Sequence, residues 1–277
     1  MTKTLLVRRH SGVTRITHWI NVLALAALLM SGLQIFNAHA ALYWGQKSNF
    51  ERPWLAIGRE ERAGQPVGVA RLGGLVLETT GVLGWTGRPG ARESRAFPAW
   101  ATIPSWRDLA AGRRWHFFFA WVFVANGLVY WLSGLAGGHI RRDLLPTRAD
   151  LAPRHVWREI LDHARLRFPK GEAARRYNVL QKVAYLGVVL LLLPLMVGTG
   201  LTMSPGFNAA APWLVDLFGG RQSARSIHFI CAALIVLFVL VHLVMVVVSG
   251  LWNNIRSMIT GRYAIEVEGD RAEGAQP

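Results

Sequence analysis

The stretch RSIHFICAALIVLFVLVHLVMVVVSG (residues 225–250) decides the fold of this chain. At about 1.5 Å per residue, such an apolar helix is long enough to cross the roughly 30 Å hydrocarbon core of a membrane. It carries two histidines, His228 and His242, fourteen residues apart. Fourteen helical steps of about 100° bring both rings to nearly the same face, about 21 Å apart along the axis. Ionisable groups inside membranes are rare, so the pair indicates a functional site, although both rings could simply hydrogen-bond to neighbouring helices.

Apolar runs of similar length occur in four places, at residues 16–36, 115–136, 179–203 and 227–252. Lys182 is their only charged residue apart from histidine, and near the end of its run it can reach the membrane surface. The pattern predicts an all-α membrane protein, a four-helix transmembrane bundle formed by residues 1–263. The remaining residues, 264–277, are polar and acidic and are expected to be a disordered tail.

The net charge and the cysteine count narrow the possible partners and cofactors. The chain has 277 residues, a formal net charge of +15 and one cysteine. In a membrane protein, this charge is better explained by loops facing an anionic lipid surface than by nucleic-acid binding. The lone cysteine, Cys231, lies within the fourth apolar run, where it is expected to be a small core side chain. One cysteine excludes internal disulfides and C-x-x-C-H attachment of haem.

Loop charge predicts the orientation in the membrane. Residues 1–17 contain Lys3, Arg8, Arg9 and Arg15, and the loop 138–178 has ten Arg or Lys residues, including Arg141, Arg142, Arg175 and Arg176. The loop 204–225 has only two basic residues, Arg221 and Arg225. The positive-inside rule therefore places both termini and the loop 138–178 in the cytoplasm. The first apolar run resembles a signal peptide, but it is long and carries His18, so a retained helix is expected.

The segment 37–112 is expected to form an outer cap that lies on the membrane, with room for a short interfacial helix. The stretch Val67–Trp85 within this segment is moderately apolar. Arg71, Glu78 and five glycines in it argue against a fifth membrane-spanning helix. Its tryptophans suit either a membrane interface or a docking surface. In the cytoplasmic loop 138–178, a short amphipathic helix is expected around Arg154–Phe168.

Two more histidines complete a set of four. His18 lies at the start of the first run and His116 at the start of the second. Alternating topology then pairs His18 with His242 on the inner side and His116 with His228 on the outer side. Two axial imidazoles per iron leave no open coordination position, which favours electron transfer over oxygen chemistry. The sequence therefore predicts two non-covalent haems held between the helices, with these four histidines as iron ligands.

Arginines precede three of the four histidines by three residues, at Arg15, Arg113 and Arg225. An arginine one helical turn nearer the surface is well placed to bind haem propionates. The alternative is that these charges only mark the membrane edge. This alternative explains Arg15 better than the other two, because the outer edge should be poor in positive charge.

Glycines at helical spacing from the histidines give further haem-pocket candidates. Gly32 follows His18 by fourteen residues and Gly127 follows His116 by eleven, and both spacings return to nearly the same face. A glycine there admits a flat macrocycle, or else simply lets helices pack closely. Tyr130 is a weaker candidate for the inner pocket. The remaining histidines are expected to be solvated or interfacial, with His39 or His139 as candidates for proton transfer near a quinone; they are His10, His39, His139, His155 and His163.

With these residues identified, the chain resembles the di-haem membrane cytochrome b family, which includes bacterial cytochrome b561 and the membrane subunits of nickel-iron hydrogenases and formate dehydrogenases. The resemblance rests on RITHW around His18, RRWH around His116 and HFICAALIVLFVLVH from His228 to His242. It implies b-type haems bound by the inner and outer pairs named above, in a bacterial inner-membrane protein. FNAHAALYWGQ (36–46), YNVLQKVAYLGVVLLLLPLMVGTGLTMSP (177–205) and GLWNNIRSMITGRY (250–263) resemble the subgroup whose partner is a periplasmic molybdopterin oxidoreductase.

The expected function is electron transfer between a membrane quinone and a periplasmic redox partner. Three alternatives stay open at this point. The chain could be the cytochrome b subunit of a nickel-iron hydrogenase, a superoxide-oxidising quinone reductase, or a haem-free membrane transporter or sensor.

Overall fold

The computed structural model describes residues 2–138, 145–165 and 178–268. After a first strand, β1 (Thr2–Arg8), come the long helices α1 (Gly12–Phe36) and α2 (Leu109–Ala136). A short helix, α3 (Pro153–Ala164), precedes a third long helix made of α4 (Val179–Gly187), a π-helical turn (Val188–Leu192) and α5 (Leu193–Thr202). The shorter α6 (Pro205–Ala210) and α7 (Trp213–Leu217) lead to α8 (Arg221–Val248). Among the described residues, four helices are long and apolar enough to cross a membrane, as the sequence predicted.

Local sequence signals explain where the later helices begin and end. Asn178 caps α4, because its side chain accepts a hydrogen bond from the Gln181 amide while the Gln181 side chain accepts one from the Asn178 amide. Helix α8 ends at Val248, and Gly250 then adopts a φ of +114°, which glycine tolerates best. The predicted fourth span, 227–252, therefore ends too late, because residues from 251 belong to a separate helix, α9 (Leu251–Thr260).

Helix α3 corresponds to the amphipathic helix expected around Arg154–Phe168. It begins at Pro153, as proline at the first helical position favours. Phe168 lies outside the described residues. The same holds for the predicted proton-transfer candidate His139 and for four of the basic residues that predict the orientation, Arg141, Arg142, Arg175 and Arg176.

The segment between α1 and α2, residues 37–108, is built from β-strands, and we call it the β-segment. Strands β2 (Ala41–Leu42), β3 (Leu55–Arg62), β4 (Gln65–Leu72) and β5 (Leu75–Glu78) form an antiparallel sheet in that order. Strands β6 (Gly84–Thr86) and β7 (Glu93–Arg95) form a second antiparallel pair. The all-α expectation is wrong for this segment, and the only helical element described in it is a short 3-10 turn at Ala99–Ala101. The cap was also predicted to extend to residue 112, whereas α2 already begins at Leu109.

Val67–Trp85 contributes strands to this segment and contains no spanning helix. Gly68 shows why a glycine-rich sequence suits it. A Cβ atom there would lie 2.2 Å from the Leu83 carbonyl oxygen and 2.8 Å from the Trp85 amide nitrogen. The close approach of this chain segment to β4 therefore requires glycine, which disfavours a helix in the same residues.

The two ends of the chain pair with each other. Strand β8 (Arg262–Glu268) is antiparallel to β1, from Arg8 opposite Arg262 to Thr2 opposite Glu268. Residues 264–268, expected to be part of a disordered tail, are thus in a strand, and residues 269–277 lie outside the described part of the chain. The sequence does not predict this pairing, because β1 and β8 are more than 250 residues apart along the chain.

The chain divides into two compact units that each contain one of the predicted histidine pairs. The terminal unit comprises Met1–Trp19, Gly127–Leu191 and Ile235–Pro277, and it includes His18 and His242. The second unit comprises Ile20–Asn126 and Leu192–Leu234, and it includes the β-segment, His116 and His228. The core of the second unit is apolar and largely aromatic, formed by Phe36, Leu42 and Ala96 with Trp54, Phe97 and Phe229 packed against them.

Candidate functional site

The terminal unit brings His18 of α1 next to His242 of α8. Their ring centres are 6.4 Å apart and the ring planes are inclined by 63°. One aromatic ring flanks each histidine: Trp19 meets His18 edge-on at 5.4 Å, and Phe238 stacks on His242 at 6.2 Å. These neighbours leave the two imidazoles facing a largely apolar environment.

The second unit brings His116 of α2 next to His228 of α8 with almost the same geometry. The ring centres are 6.2 Å apart and the planes are inclined by 61°. The structure therefore places together the histidines that the sequence predicted to pair. The haem-ligand role of all four residues stays a prediction.

Both distances suit two imidazoles on one metal ion. A metal–imidazole bond of about 2.0 Å, plus about 1.1 Å from the nitrogen to the ring centre, puts two opposed ring centres about 6.2 Å apart. The observed separations of 6.2 and 6.4 Å match this value. Within the described residues, no group of three or more His, Cys, Asp or Glu side chains could hold a metal ion. Two opposed imidazoles are the ligands that a haem iron requires when its other four come from the macrocycle.

Two hydroxyl groups that are not among the predicted site residues fix the rings of the second pair. The Ser31 Oγ lies 3.1 Å from His116 Nδ1, and the Thr199 Oγ1 lies 3.0 Å from His228 Nδ1. Each hydroxyl also donates its proton to a carbonyl in its own helix, Ser31 to Ala27 at 2.6 Å and Thr199 to Leu195 at 2.5 Å.

Since each hydroxyl proton is already donated, the imidazole Nδ1–H must be the donor in both contacts. This assigns the Nδ1-protonated tautomer to His116 and His228 and leaves each Nε2 lone pair available to a metal. Metal-bound histidines usually donate their second nitrogen in this way, which orients the ring and raises its basicity. Both hydroxyl residues are fully buried, so water does not compete for these bonds.

Glycines directly follow both hydroxyl residues and lie against the same rings. A Cβ at Gly32 would be 3.4 Å from His116 Cε1, and one at Gly200 would be 3.4 Å from His228 Cε1. Gly32 was predicted to serve a haem pocket, and it contacts a histidine of the pair in the second unit. Gly200 was not predicted. Gly127, the other predicted glycine, has no described atom within 4 Å of its Cβ position, and its haem-pocket role stays a prediction, as does that of Tyr130.

The His18 turn of α1 is tied to the end of α9. The Trp19 indole donates to the Met258 carbonyl at 3.1 Å, and the Arg15 guanidinium donates to the Ile259 carbonyl. Backbone carbonyls at a helix C-terminus carry partial negative charge, so a cationic donor is favourable there. The structure thus gives Arg15 a protein partner next to His18, and its predicted propionate contact stays a prediction.

The other two predicted arginines have different surroundings. Arg225 is half-buried and donates to the backbone carbonyls of His39 and Ala41, the second at 3.1 Å. Arg113 is exposed and lies over the Phe117 ring at 5.7 Å. Neither arrangement tests the propionate role.

His39 lies just after α1 in a cluster with Tyr43 and Phe50, whose ring centres are each 5.7 Å from its own. Its Nε2 is buried without a described hydrogen-bond partner. Burial and, to a lesser extent, the nearby Arg225 charge lower the pKa of His39 below its usual value, which favours the neutral ring. Its predicted role in proton transfer stays open.

The chain is similar to known proteins over most of its length. A family model described as prokaryotic cytochrome b561 matches residues 9–261. A curated protein of Azospira oryzae, named as subunit YedZ1 of a protein-methionine-sulfoxide reductase, is 25% identical over 238 residues, which cover 86% of this chain and 89% of that protein. No solved structure matches the chain.

Proposed function

The chain belongs to the prokaryotic cytochrome b561 family, and we propose that it is a di-haem subunit that carries electrons between membrane quinone and a soluble redox partner. Family membership alone makes it a membrane electron-transfer protein that binds b-type haem. The observation that carries the finer proposal is the presence of two separate histidine pairs, with ring centres 6.4 and 6.2 Å apart.

Each histidine pair would hold one haem through its two imidazoles. A haem held in this way would supply a one-electron couple and would leave no open position for oxygen. In the second unit, Ser31 and Thr199 hold the imidazoles in the required tautomer. In the terminal unit, Trp19 and Arg15 fix the α1 turn that carries His18.

Loop charge supports one orientation. With the basic termini in the cytoplasm, the His18–His242 pair lies toward that side, and the β-segment faces the periplasm. Moving one electron across the full membrane changes its energy by about 2.3 kcal/mol per 100 mV, so the two potentials must be staggered to suit the direction of flow. Apolar surroundings and the arginines at positions 15, 113 and 225 are the means by which this chain sets those potentials.

The relative from Azospira oryzae supports the choice of partner. Its name makes it a subunit of a protein-methionine-sulfoxide reductase, so we propose that this chain serves a periplasmic reductase of that kind. The resemblance of residues 36–46, 177–205 and 250–263 to the subgroup with a molybdopterin oxidoreductase favours the same partner over a hydrogenase.

The test uses the full-length protein purified in detergent. Decyl-ubiquinol or a menaquinol analogue is added anaerobically, and the reduced α-band is followed before and after addition of ferricyanide as a soluble oxidant. We expect quinol to reduce the haem and ferricyanide to reoxidise it. A protein with haem bands that no quinol reduces contradicts the quinone proposal, and a protein without haem bands contradicts the function as a whole.

A further inference from the structure

We propose that the soluble redox partner docks, through an acidic patch, on a small aromatic and basic surface of the second unit. We call this surface the Trp44 port and define it by Trp44, Lys47, Phe50, Arg52 and Arg221. The inference rests on the proposed function, because it names the surface at which the partner exchanges electrons with the His116–His228 site.

An exposed indole is connected to the helix that carries His228. Trp44 is 55% exposed and stacks on Trp54, with ring centres 5.8 Å apart and planes inclined by 22°. The Trp54 Nε1 donates to the Ser226 Oγ at 2.9 Å. Ser226 precedes His228 by two residues in α8. A continuous path of packed and hydrogen-bonded atoms therefore leads from the surface to the histidine turn.

The loop that presents Trp44 is fixed to the N-terminus of α8. The Gly45 carbonyl accepts the amides of Gln222 and Ser223 at 3.0 and 3.1 Å, and the Ser223 hydroxyl accepts the Gly45 amide at 2.8 Å. The Ser226 hydroxyl donates to the Tyr43 carbonyl at 2.6 Å. These contacts satisfy amides that a helix N-terminus otherwise leaves without partners. They also hold the indole at a fixed position relative to His228.

This connection distinguishes Trp44 from other exposed tryptophans of the β-segment. Trp100 is 80% exposed, but in the described part of the chain it has no ring contact and no hydrogen bond leading to a histidine. Electron tunnelling falls off less steeply through packed and bonded atoms than across a gap. A partner seated on Trp44 is therefore better coupled to the site than one seated on Trp100.

The charge around Trp44 indicates what kind of surface binds there. Lys47, Arg52 and Arg221 are exposed, and Glu51 is the only acidic residue of the same loop. An aromatic centre with a charged rim is typical of protein interfaces, and complementary charge speeds the encounter of redox partners. Tryptophan with basic residues also occurs at membrane surfaces. The polar sequence GQKSNFER (residues 45–52) favours an aqueous protein partner over lipid.

The first experiment measures electron exchange with defined probes. The reduced holoprotein in nanodiscs is mixed in a stopped-flow instrument with ferricyanide, an anion, or with hexaammineruthenium(III), a cation, and each oxidant removes one electron per haem. We expect Lys47→Gln combined with Arg52→Gln to slow the reaction with ferricyanide up to about tenfold at low salt, the lower end of electrostatic steering. The reaction with the cation should be unaffected or faster. Trp44→Ala should slow haem oxidation by both oxidants.

Trp100→Ala and Arg88→Gln are the matched controls, because both residues are exposed on the β-segment outside the port. Their rates should equal those of the wild type. Wild-type rates in the port variants, with haem spectra intact, overturn the inference and leave the proposed function standing. Missing haem bands in the wild type contradict the proposed function instead. The charge variants keep the test decisive if Trp44→Ala does not fold, because both side chains are exposed.

The second experiment needs no electron transfer. The fluorescence of Trp44 is obtained as the difference between the wild type and Trp44→Phe, and it is quenched either by iodide in water or by spin-labelled phospholipid in the nanodisc. We expect quenching by iodide and little by the lipid label. Quenching by the lipid label alone places Trp44 in the membrane interface and overturns docking of a soluble partner there.

Discussion

Replacing Thr199 by valine removes one hydrogen bond from a histidine of the second pair while keeping the shape of the side chain. The Thr199 hydroxyl is completely buried and accepts the His228 Nδ1–H at 3.0 Å. This bond raises the electron density of the imidazole and so stabilises the oxidised metal. Without it, the reduction potential of the haem held by His116 and His228 should rise.

The size of the rise follows from the bond that is lost. A buried hydrogen bond contributes about 0.5–1.5 kcal/mol. For a one-electron couple, about 59 mV corresponds to a tenfold change in the equilibrium constant, or roughly 1.4 kcal/mol. The expected rise in the reduction potential is therefore about 20–65 mV. The lower half of this range is expected, because His228 also contacts the Met196 backbone, which remains in the variant.

The assay is an anaerobic optical redox titration of purified wild type and Thr199→Val. Thr202→Val is the matched control, because Thr202 is equally buried in α5 but its hydroxyl donates to the Thr199 carbonyl, not to a histidine. The reduction potential of one of the two haems should rise in Thr199→Val, and neither potential should rise in the control. An unchanged potential, a fall, or a shift of both couples would refute the reasoning.

Three further predictions address other parts of the molecule. Trp19→Phe loses the bond to Met258, so the low-spin electron paramagnetic resonance signal of the haem in the terminal unit should change while that of the other haem stays fixed. In Gly200→Val the new Cβ would already touch the His228 Cε1 at 3.4 Å, so the two methyl groups beyond it crowd the imidazole and one haem per chain should be lost in haem quantitation. The hydrogen bond from Lys182 lowers the pKa of Asp150, so its stabilising effect is present above the unfolded pKa and is lost as pH falls through the lower folded value. The melting temperature of Asp150→Asn should therefore be lower than that of the wild type at neutral pH, and the two values should converge below about pH 4. A constant difference in melting temperature down to pH 3 would contradict this.

The spanning helices could be predicted because a membrane imposes a length and a composition on them. In lipid, the polar backbone groups must find their hydrogen-bond partners within the helix, so apolar runs such as 16–36 and 227–252 are expected to form helices. The histidine pairs also follow from the sequence, because helical spacing and alternating topology fix which rings share a depth. In the structure, His18 lies next to His242 and His116 lies next to His228, as this spacing predicts.

The residues that support the histidines could not be predicted from one sequence. Ser31 and Thr199 are small polar residues in apolar helices, where serine and threonine commonly bond to their own backbone. Whether such a hydroxyl also meets a ring on another helix depends on the rotation of each helix about its axis. The same reason explains Gly200, which lies in a helix without any histidine ligand.

The strands of the β-segment could not be predicted for a different reason. Its strands are short, rich in glycine and charge, and paired across turns, so no 3.6-residue period or long apolar run marks them. The close approach at Gly68 appears only when the neighbouring strands are in place. The bonds from Arg225 to the carbonyls of His39 and Ala41 likewise depend on the fold of this segment and carry no mark in the sequence.

The number of haems per chain tests the central claim most directly. Haem quantitation on purified protein, normalised to chain concentration by amino-acid analysis, should give two b-type haems in the wild type. His228→Ala and His242→Ala should each retain one haem, and the two variants should differ in the potential of the haem that remains. One haem per wild-type chain, or two haems in either variant, would contradict the assignment of the histidine pairs.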